Sequence, residues 1–386
     1  MIHRNAEKLL KIYSRQFRAL AVVGPRQSGK TTLVKNVFKG KPYVSLENPD
    51  ERLLADNDPR GFLSRFPNGA IIDEAQRVPV LFSYLQQILD ETKKQGLFIL
   101  TGSNNFLLQQ SITQSLAGRI GYIDLLPLTF NEINSFGKTN LSTDHLVLGG
   151  CYPELFHKKI KPQLWYPSYI RTYIERDVKQ LRNIDNTLLF NRFLKLCAGR
   201  IGQQLVVSNL SNDCGIDVKT VNAWLSILQS SYIIHLLPPH FNSFNKRLVK
   251  TPKLYFIDTG LACSLLDIKQ TQELSKSHFR GSLFENYILM ELLKKKHNEG
   301  LNSSLYYWRD NKGVEIDILV DTGKKLLPIE VKSAQTFQDS YVKSIQQWNG
   351  FSKNKGGLLL YDGKMEFIHS SKIKVQNWRR IDDIKL

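Results

Sequence analysis

Cysteine is scarce, with four in 386 residues. Cys151, Cys197, Cys214 and Cys263 form no C-x-x-C pair and have no matched His spacing, which excludes a zinc ribbon and a disulfide framework. Buried thiols are expected. Long apolar runs are also missing. The longest pieces, such as LFIL and GGLLL, are strand-sized and fall well short of the ~18–20 residues that a transmembrane helix needs. No membrane partner is expected. The opening stretch MIHRNAEKLLKIYSRQFRAL scatters charge where a signal peptide would be apolar, which predicts a cytoplasmic protein. Acidic residues are few beside basic ones, 35 against 53, leaving a formal charge of +18. That surplus suits a polyanionic partner, nucleic acid or nucleotide phosphates.

What is present is ample apolar material. A hydrophobic fraction of 42% with 10% aromatics excludes a chain disordered as a whole. At about 100–200 residues per domain, the length predicts two or three domains. Residues 1–135 alternate short β-branched runs (LAVVG, YVSL, GAIID, LFILTGS, RIGYIDL) with helical stretches, one of them through Thr32–Phe38. This pattern predicts an α/β domain with a parallel sheet covered by helices. Residues 136–187 turn helical and aromatic and read as a connector or lid. Residues 188–262 read as helices followed by strands, a winged-helix module. In it Ser208 caps a helix that Gly215 ends, and Asp217 caps the next. Residues 263–386 combine a helix from Phe279 with alternating strands, a second α/β domain.

The run Gly24-Pro25-Arg26-Gln27-Ser28-Gly29-Lys30-Thr31 fits G-x-x-x-x-G-K-[ST] between a strand and a helix containing Thr32. Glycines there let backbone N–H groups curl around phosphates, Lys30 reaches the β/γ-phosphates, and the Thr31 hydroxyl ligates Mg²⁺. Downstream, GAIIDEAQ ends in Asp73, a carboxylate for the Mg²⁺ shell, and Glu74, placed to polarise an attacking water. The strand LFILTGSNN ends in Ser103, Asn104 and Asn105, of which Asn104 is the candidate γ-phosphate sensor; the alternative is a helix cap. An arginine that neutralises transition-state charge completes such a site. Arg119 is the first candidate, with Arg26, Arg171 and Arg176 as alternatives.

The runs GPRQSGKTT, SLENPDERLLADNDP, IIDEAQRVPVLF, LTGSNNFLL, SLAGRI and LPLTFNEI together resemble an archaeal and bacterial family of AAA+-like P-loop ATPases. Members of that family carry a second domain of unknown function, to which YIERDV, YYWRDNKGVEIDILV and PIEVKS are similar. The resemblance implies ATP binding and hydrolysis with Mg²⁺ as cofactor.

In GVEIDILV, Val314, Ile316, Ile318 and Val320 are expected on one strand face, with Glu315 and Asp317 on the other. Glu330 and Lys332 share a face in PIEVKS. If the two strands pair, Asp317, Glu330 and Lys332 converge, and Glu285 from the preceding helix joins them. An Asp followed about a dozen residues later by Glu-x-Lys resembles the PD-(D/E)XK nuclease core. The resemblance implies Mg²⁺ on Glu285, Asp317 and Glu330, with Lys332 beside the phosphate. The bland reading is the polar face of a half-exposed hairpin. In the middle module, Lys219, Thr220 and Asn222 open the second helix, where DNA contacts would fall, and Lys246, Arg247, Lys250 and Lys253 would line a wing. The sequence thus predicts an ATPase acting on or bound to DNA. The alternatives are an ATP-driven switch for a protein partner, with a non-catalytic C-terminal binding module, and an ATP-gated, Mg²⁺-dependent nuclease.

Overall fold

In a computed structural model, residues 2–102, 112, 115–137, 141–178, 186–240, 251–302 and 304–385 are described here. Helix α1 (Ala6–Gln16) leads into β1 (Ala19–Val23), and α2 (Lys30–Val37) follows the phosphate-loop motif. Then come β2 (Tyr43–Ser45), α3 (Pro49–Asn57), α4 (Pro59–Ser64), β3 (Ile71–Asp73), α5 (Leu81–Glu91), β4 (Phe98–Gly102) and β5 (Ile120–Asp124). The five strands form a parallel sheet in the order β2-β3-β4-β1-β5. Every residue of β1, β3 and β4 is buried, as central parallel strands covered on both faces must be. This explains their unbroken apolar runs. Asn48 and Asp58 cap α3 and α4, each with proline at the first turn, where its missing N–H costs nothing.

Helix α6 (Phe130–Ser135) starts with a capping box in which Thr129 and Glu132 satisfy each other's backbone N–H groups. Helices α7 (Thr143–Gly149), α8 (Pro153–His157) and α9 (Pro162–Tyr169) follow, and Ile170–Val178 continues as π-helix. An aromatic stack of Tyr152, Trp165, Tyr166 and Tyr169 holds this segment together.

Next stand α10 (Thr187–Ala198), α11 (Val207–Cys214), α12 (Val218–Ser230) and an antiparallel ribbon of β6 (Ile234–Leu237) with β7 (Lys253–Phe256). Gly215 ends α11 in the left-handed region, and the Asp217 side chain accepts from the Thr220 N–H at the start of α12. Ser208 lies inside α11, whose N-cap is Val206. Helix α13 (Thr259–Leu265) packs on α7, so the chain returns to the segment before it. The residues between β6 and β7 include Lys246, Arg247 and Lys250, which lie outside the described residues.

After α14 (Thr271–Lys276), the 20-residue α15 (Arg280–Glu299) precedes β8 (Leu305–Arg309), β9 (Glu315–Asp321), β10 (Leu326–Lys332), α16 (Lys343–Ser352), β11 (Gly357–Tyr361), β12 (Phe367–Ile368) and β13 (Ile373–Asn377). Their sheet runs β12-β13-β11-β10-β9-β8. Strands β8, β9 and β10 are antiparallel, whereas β10, β11 and β13 are parallel. The expected alternation along β9 fails at one point. A register irregularity opposite Tyr306 and Trp308 sends Ile316 to the cluster of Trp308 and Trp348, while Ile318 and Val320 pack with Leu283 and Phe284 of α15. One extra residue in a ladder shifts all later side chains to the other face.

Candidate nucleotide site

Strand β1 ends at Val23, and the chain turns into the loop at Gly24. A β-carbon on Gly24 would lie 2.2 Å from the Leu125 carbonyl oxygen, with φ at +145°, so only glycine fits beside β5. Gly29, also at positive φ, is the N-cap of α2, so the loop delivers Lys30 and Thr31 to a helix N-terminus. The Lys30 ammonium is buried and donates to the Gly24 and Pro25 carbonyls at 3.0 and 2.8 Å. Burial brings its pKa down to about 8, against the opposing fields of Glu74 and Asp73. The Ser28 hydroxyl is buried with no hydrogen-bond partner. An orphaned donor in a loop of this shape fits an anionic oxygen acceptor.

Asp73, at the carboxyl end of β3, receives hydrogen bonds from three sides. The Thr31 hydroxyl donates to its two oxygens at 3.1 and 3.3 Å, the Tyr43 phenol donates at 2.8 Å, and the Thr101 hydroxyl makes a further short contact. Burial, then the bond to Asp73, raises the Tyr43 pKa to about 12, so its proton stays in place. Because β4 lies between β1 and β3, Thr101 stands between the loop strand and the Asp73 strand. Thr31 and Asp73 present hard oxygen donors suited to Mg²⁺. Glu74 adopts a left-handed backbone with φ at 54°, uncommon for a residue with a side chain and typical of functional sites. Its carboxylate accepts from the Gln76 amide.

A cleft of about 600 Å³ opens over these groups and is lined by Arg26, Gln27, Gly29, Lys30, Thr31, Thr32 and Glu74. Its far wall is Pro153, Glu154 and His157 of α8 with the adjoining Lys158, so a segment outside the parallel-sheet domain closes the pocket. Arg4 braces the loop from behind, donating to the Ser28 and Leu126 carbonyls at 2.6 Å each and pairing with Glu132 at 3.2 Å. The sequence reading found the loop, Asp73 and Glu74 but missed Arg4, Tyr43, Thr101 and the α8 wall. None of these belongs to a local motif.

The predicted arginine does not join them. Arg119 immediately precedes β5 and pairs with Asp90 through Nε and Nη2 at 2.5 and 3.0 Å. Its neighbour Ile120 is in register with Ala19, at the amino end of β1, about 17 Å of strand from Gly24 at 3.3 Å per residue. In its own chain, Arg119 therefore stands at the wrong end of the sheet. Arg26 is the candidate arginine that does line the cleft; it lies over the Tyr173 ring and pairs with Glu47 at 3.7 Å. Arg171 is exposed. Ser103, Asn104, Asn105 and the Arg176 side chain lie outside the described residues.

Residues 16–134 match the AAA domain model, and residues 140–272 and 280–380 match two domains of unknown function, DUF8612 and DUF4143. The uncharacterized proteins Rv2008c of Mycobacterium tuberculosis and Mb2031c of Mycobacterium bovis are each 30% identical to this chain over 338 residues, covering 86% of it and 74% of their own length. The chain belongs to their family. Its AAA domain supports ATP binding and hydrolysis, the chemistry of P-loop ATPases. Among solved structures, the chain is similar to the Walker-type ATPase paby2304 of Pyrococcus abyssi, at 16% identity and a TM-score of 0.46 over 69% of this chain and 96% of that one. It is also similar to AMPPCP-bound DnaA from Aquifex aeolicus, at 12% identity and a TM-score of 0.30 over 58% of this chain and 85% of that one.

Outside the AAA domain, the C-terminal residues singled out in the sequence do meet. Lys332 Nζ lies 3.6 Å from both Asp317 Oδ2 and Glu330 Oε1, and the Val331 N–H donates to Asp317 at 2.9 Å. Glu285 faces Lys253, which belongs to β7 of the middle module, at 3.2 Å. The expectation that Lys253 decorates a wing is thereby corrected, since it is buried at 2% exposure. The expected Mg²⁺ ligands Glu285, Asp317 and Glu330 face ammonium groups, and among the described residues no three His, Cys, Asp or Glu side chains form a group fit for a metal ion. In the middle module Lys219 and Asn222 are exposed at the start of α12, but Asp217 already occupies that helix N-terminus.

Proposed function

We propose that this protein is a Mg²⁺-dependent ATPase whose nucleotide cycle drives or gates an action on DNA. The observation that carries the ATPase reading is the joining of Lys30, Thr31 and Glu74 around one cleft, with Asp73 hydrogen-bonded to Thr31 beneath it, at the carboxyl ends of β1 and β3, where open parallel sheets bind ligands. Lys30 holds the loop closed through two carbonyls, and phosphate oxygens would take over those bonds. Thr31 and Asp73 would hold Mg²⁺, which supplies charge neutralisation at the β- and γ-phosphate oxygens. Tyr43 and Thr101 keep the Asp73 carboxylate oriented. Glu74, held by a strained backbone, accepts a proton from the attacking water. Helix α8 supplies the lid residues. The +18 charge and the exposed Lys219 and Asn222 support DNA as the load.

The test is steady-state ATP hydrolysis with and without single- and double-stranded DNA across a salt series, with Lys30→Ala alongside. Lys30→Ala is expected to lower turnover by about 100-fold or more, the scale for losing a preorganised charge on the transition state. DNA should stimulate hydrolysis, and the stimulation should fade with salt as released counterions lose their entropic advantage. Hydrolysis indifferent to DNA would instead favour an ATP-driven switch acting on a protein partner. Unchanged turnover in Lys30→Ala would remove the ATPase assignment altogether.

A further inference from the structure

The C-terminal carboxylate cluster is built from α15, β9 and β10, yet one of its cations arrives from elsewhere. Lys253 opens β7, in the ribbon of the middle module, and its ammonium reaches across to Glu285 Oε1 of α15 at 3.2 Å and Glu315 Oε1 of β9 at 2.5 Å. The Tyr255 phenol, two residues on along β7, donates to the same Glu285 oxygen. Arg309 pairs with Glu315 at 3.0 Å, and Lys332 with Asp317 and Glu330. Four carboxylates thus face three fixed cations. Lys253 and Lys332 each sit between two of these acids, so most of the compensating charge is supplied from within the cluster.

Lys253 is firmly placed. The backbone of β7 pairs with β6, Gln204 bridges to Lys253, and the Tyr307 hydroxyl of β8 donates to the Thr251 carbonyl. An ammonium held this rigidly among buried acids does part of the electrostatic work of a cation: it offsets the mutual repulsion of Glu285 and Glu315 and opposes the entry of a dication beside them. We propose that Lys253 is the built-in cation of the C-terminal carboxylate cluster, closing to divalent metal a site that its acids would otherwise form and latching the middle module onto the C-terminal domain. The C-terminal domain of this protein is accordingly no metal-dependent nuclease while β7 is docked.

Mn²⁺ binding, counted by electron paramagnetic resonance on the full-length, nucleotide-free protein, tests this. The wild type is expected to bind no Mn²⁺ that Asp317→Asn removes. Lys253→Met should gain one Mn²⁺ per chain, lost again in Lys253→Met/Asp317→Asn, while Lys253→Arg, which keeps the charge, should behave as wild type. Circular dichroism and thermal unfolding establish that each variant is folded. A second measurement needs no variant: Fe²⁺ with ascorbate and peroxide cuts the backbone beside a bound ion, and mass spectrometry of the wild type should show no cuts between residues 315 and 332. Cuts in that stretch, a wild-type Mn²⁺ site lost in Asp317→Asn, or a folded Lys253→Met that gains no ion would each overturn the proposal.

Discussion

Asp73 shows how much of a site a single residue can gather. Its carboxylate takes hydrogen bonds from Thr31, Tyr43 and Thr101, three residues on three different elements. Thr31 was legible because the phosphate-loop motif fixes its spacing from Gly29 and Lys30. Tyr43 and Thr101 were not, because each reaches Asp73 only through the lateral order of parallel strands, which no local pattern encodes. Arg119 is the converse case. Its place after the candidate sensor strand made it the first candidate, but it also immediately precedes β5, and in a parallel sheet the residue before a strand lies at the end opposite the loops that follow strands. With its guanidinium engaged by Asp90, Arg119→Ala should leave the dissociation constant for a fluorescent ATP analogue within about twofold of wild type, as expected of a substitution remote from the pocket. A large loss of affinity would mean that Arg119 of another copy enters the cleft.

At the scale of elements, α15 is the member that binds the two α/β domains. Lys294 Nζ donates to the Leu128 carbonyl at 2.8 Å and to Glu291 Oε1 at 2.9 Å, while Glu291 Oε2 accepts from the Phe130 N–H at 2.8 Å. Both side chains are buried, and burial raises the Glu291 pKa, partly offset by Lys294. The end of the AAA domain is thus stitched to α15 by a buried ion pair that also satisfies two orphan backbone groups. Removing one member leaves the other charge buried and alone, so Lys294→Met is expected to cost about 3–5 kcal/mol in urea unfolding. The exposed Lys11→Met serves as control, with a change within about 0.5 kcal/mol. Equal effects would mean that the pair contributes nothing to the junction. The helical periodicity of α15 was clear in the sequence, but which of its polar residues face protein could not be read, because the helix is buried nearly all round and has no polar stripe to orient it.

Across the whole molecule, AAA domain, middle module and C-terminal helix meet at Asp124. The Tyr232 hydroxyl donates to this carboxylate, and His297 Nδ1 lies 3.5 Å away. Nearby on β6, desolvation and then the neighbouring His297 push the part-buried His235 imidazole down to about 4; His297 is itself lowered by burial, with Asp124 opposing. The titratable groups facing this junction are Asp124, Tyr122, Tyr232, His235 and His297. Both imidazoles stay neutral in the folded protein at pH values where the unfolded chain, with an ordinary His pKa near ~6.5, takes up protons. Their contribution to stability is therefore level above about pH 6.5 and falls as pH drops toward 4. Urea midpoints at pH 7 and pH 5 should show this decline, and His235→Leu should flatten it. A midpoint that rises on acidification would contradict the assigned burial.

The chemistry of the nucleotide site and the kinds of element around it were legible in local runs of residues. A phosphate loop is a local object: eight consecutive residues, two of them glycines relieved of steric limits, suffice to aim a lysine and a hydroxyl at a helix N-terminus. Strand periodicity likewise placed Asp317, Glu330 and Lys332 together, because a hairpin brings residues a dozen apart into register. The sequence could not show what arrives from a distance. That Arg4 supports the loop, that α8 walls the cleft, that Arg119 stands at the far edge of the sheet and that Lys253 neutralises Glu285 and Glu315 were decided by the tertiary structure. Each depends on where whole elements pack, and the energy that sets that packing comes from apolar burial summed over many residues rather than from the few polar groups brought into contact.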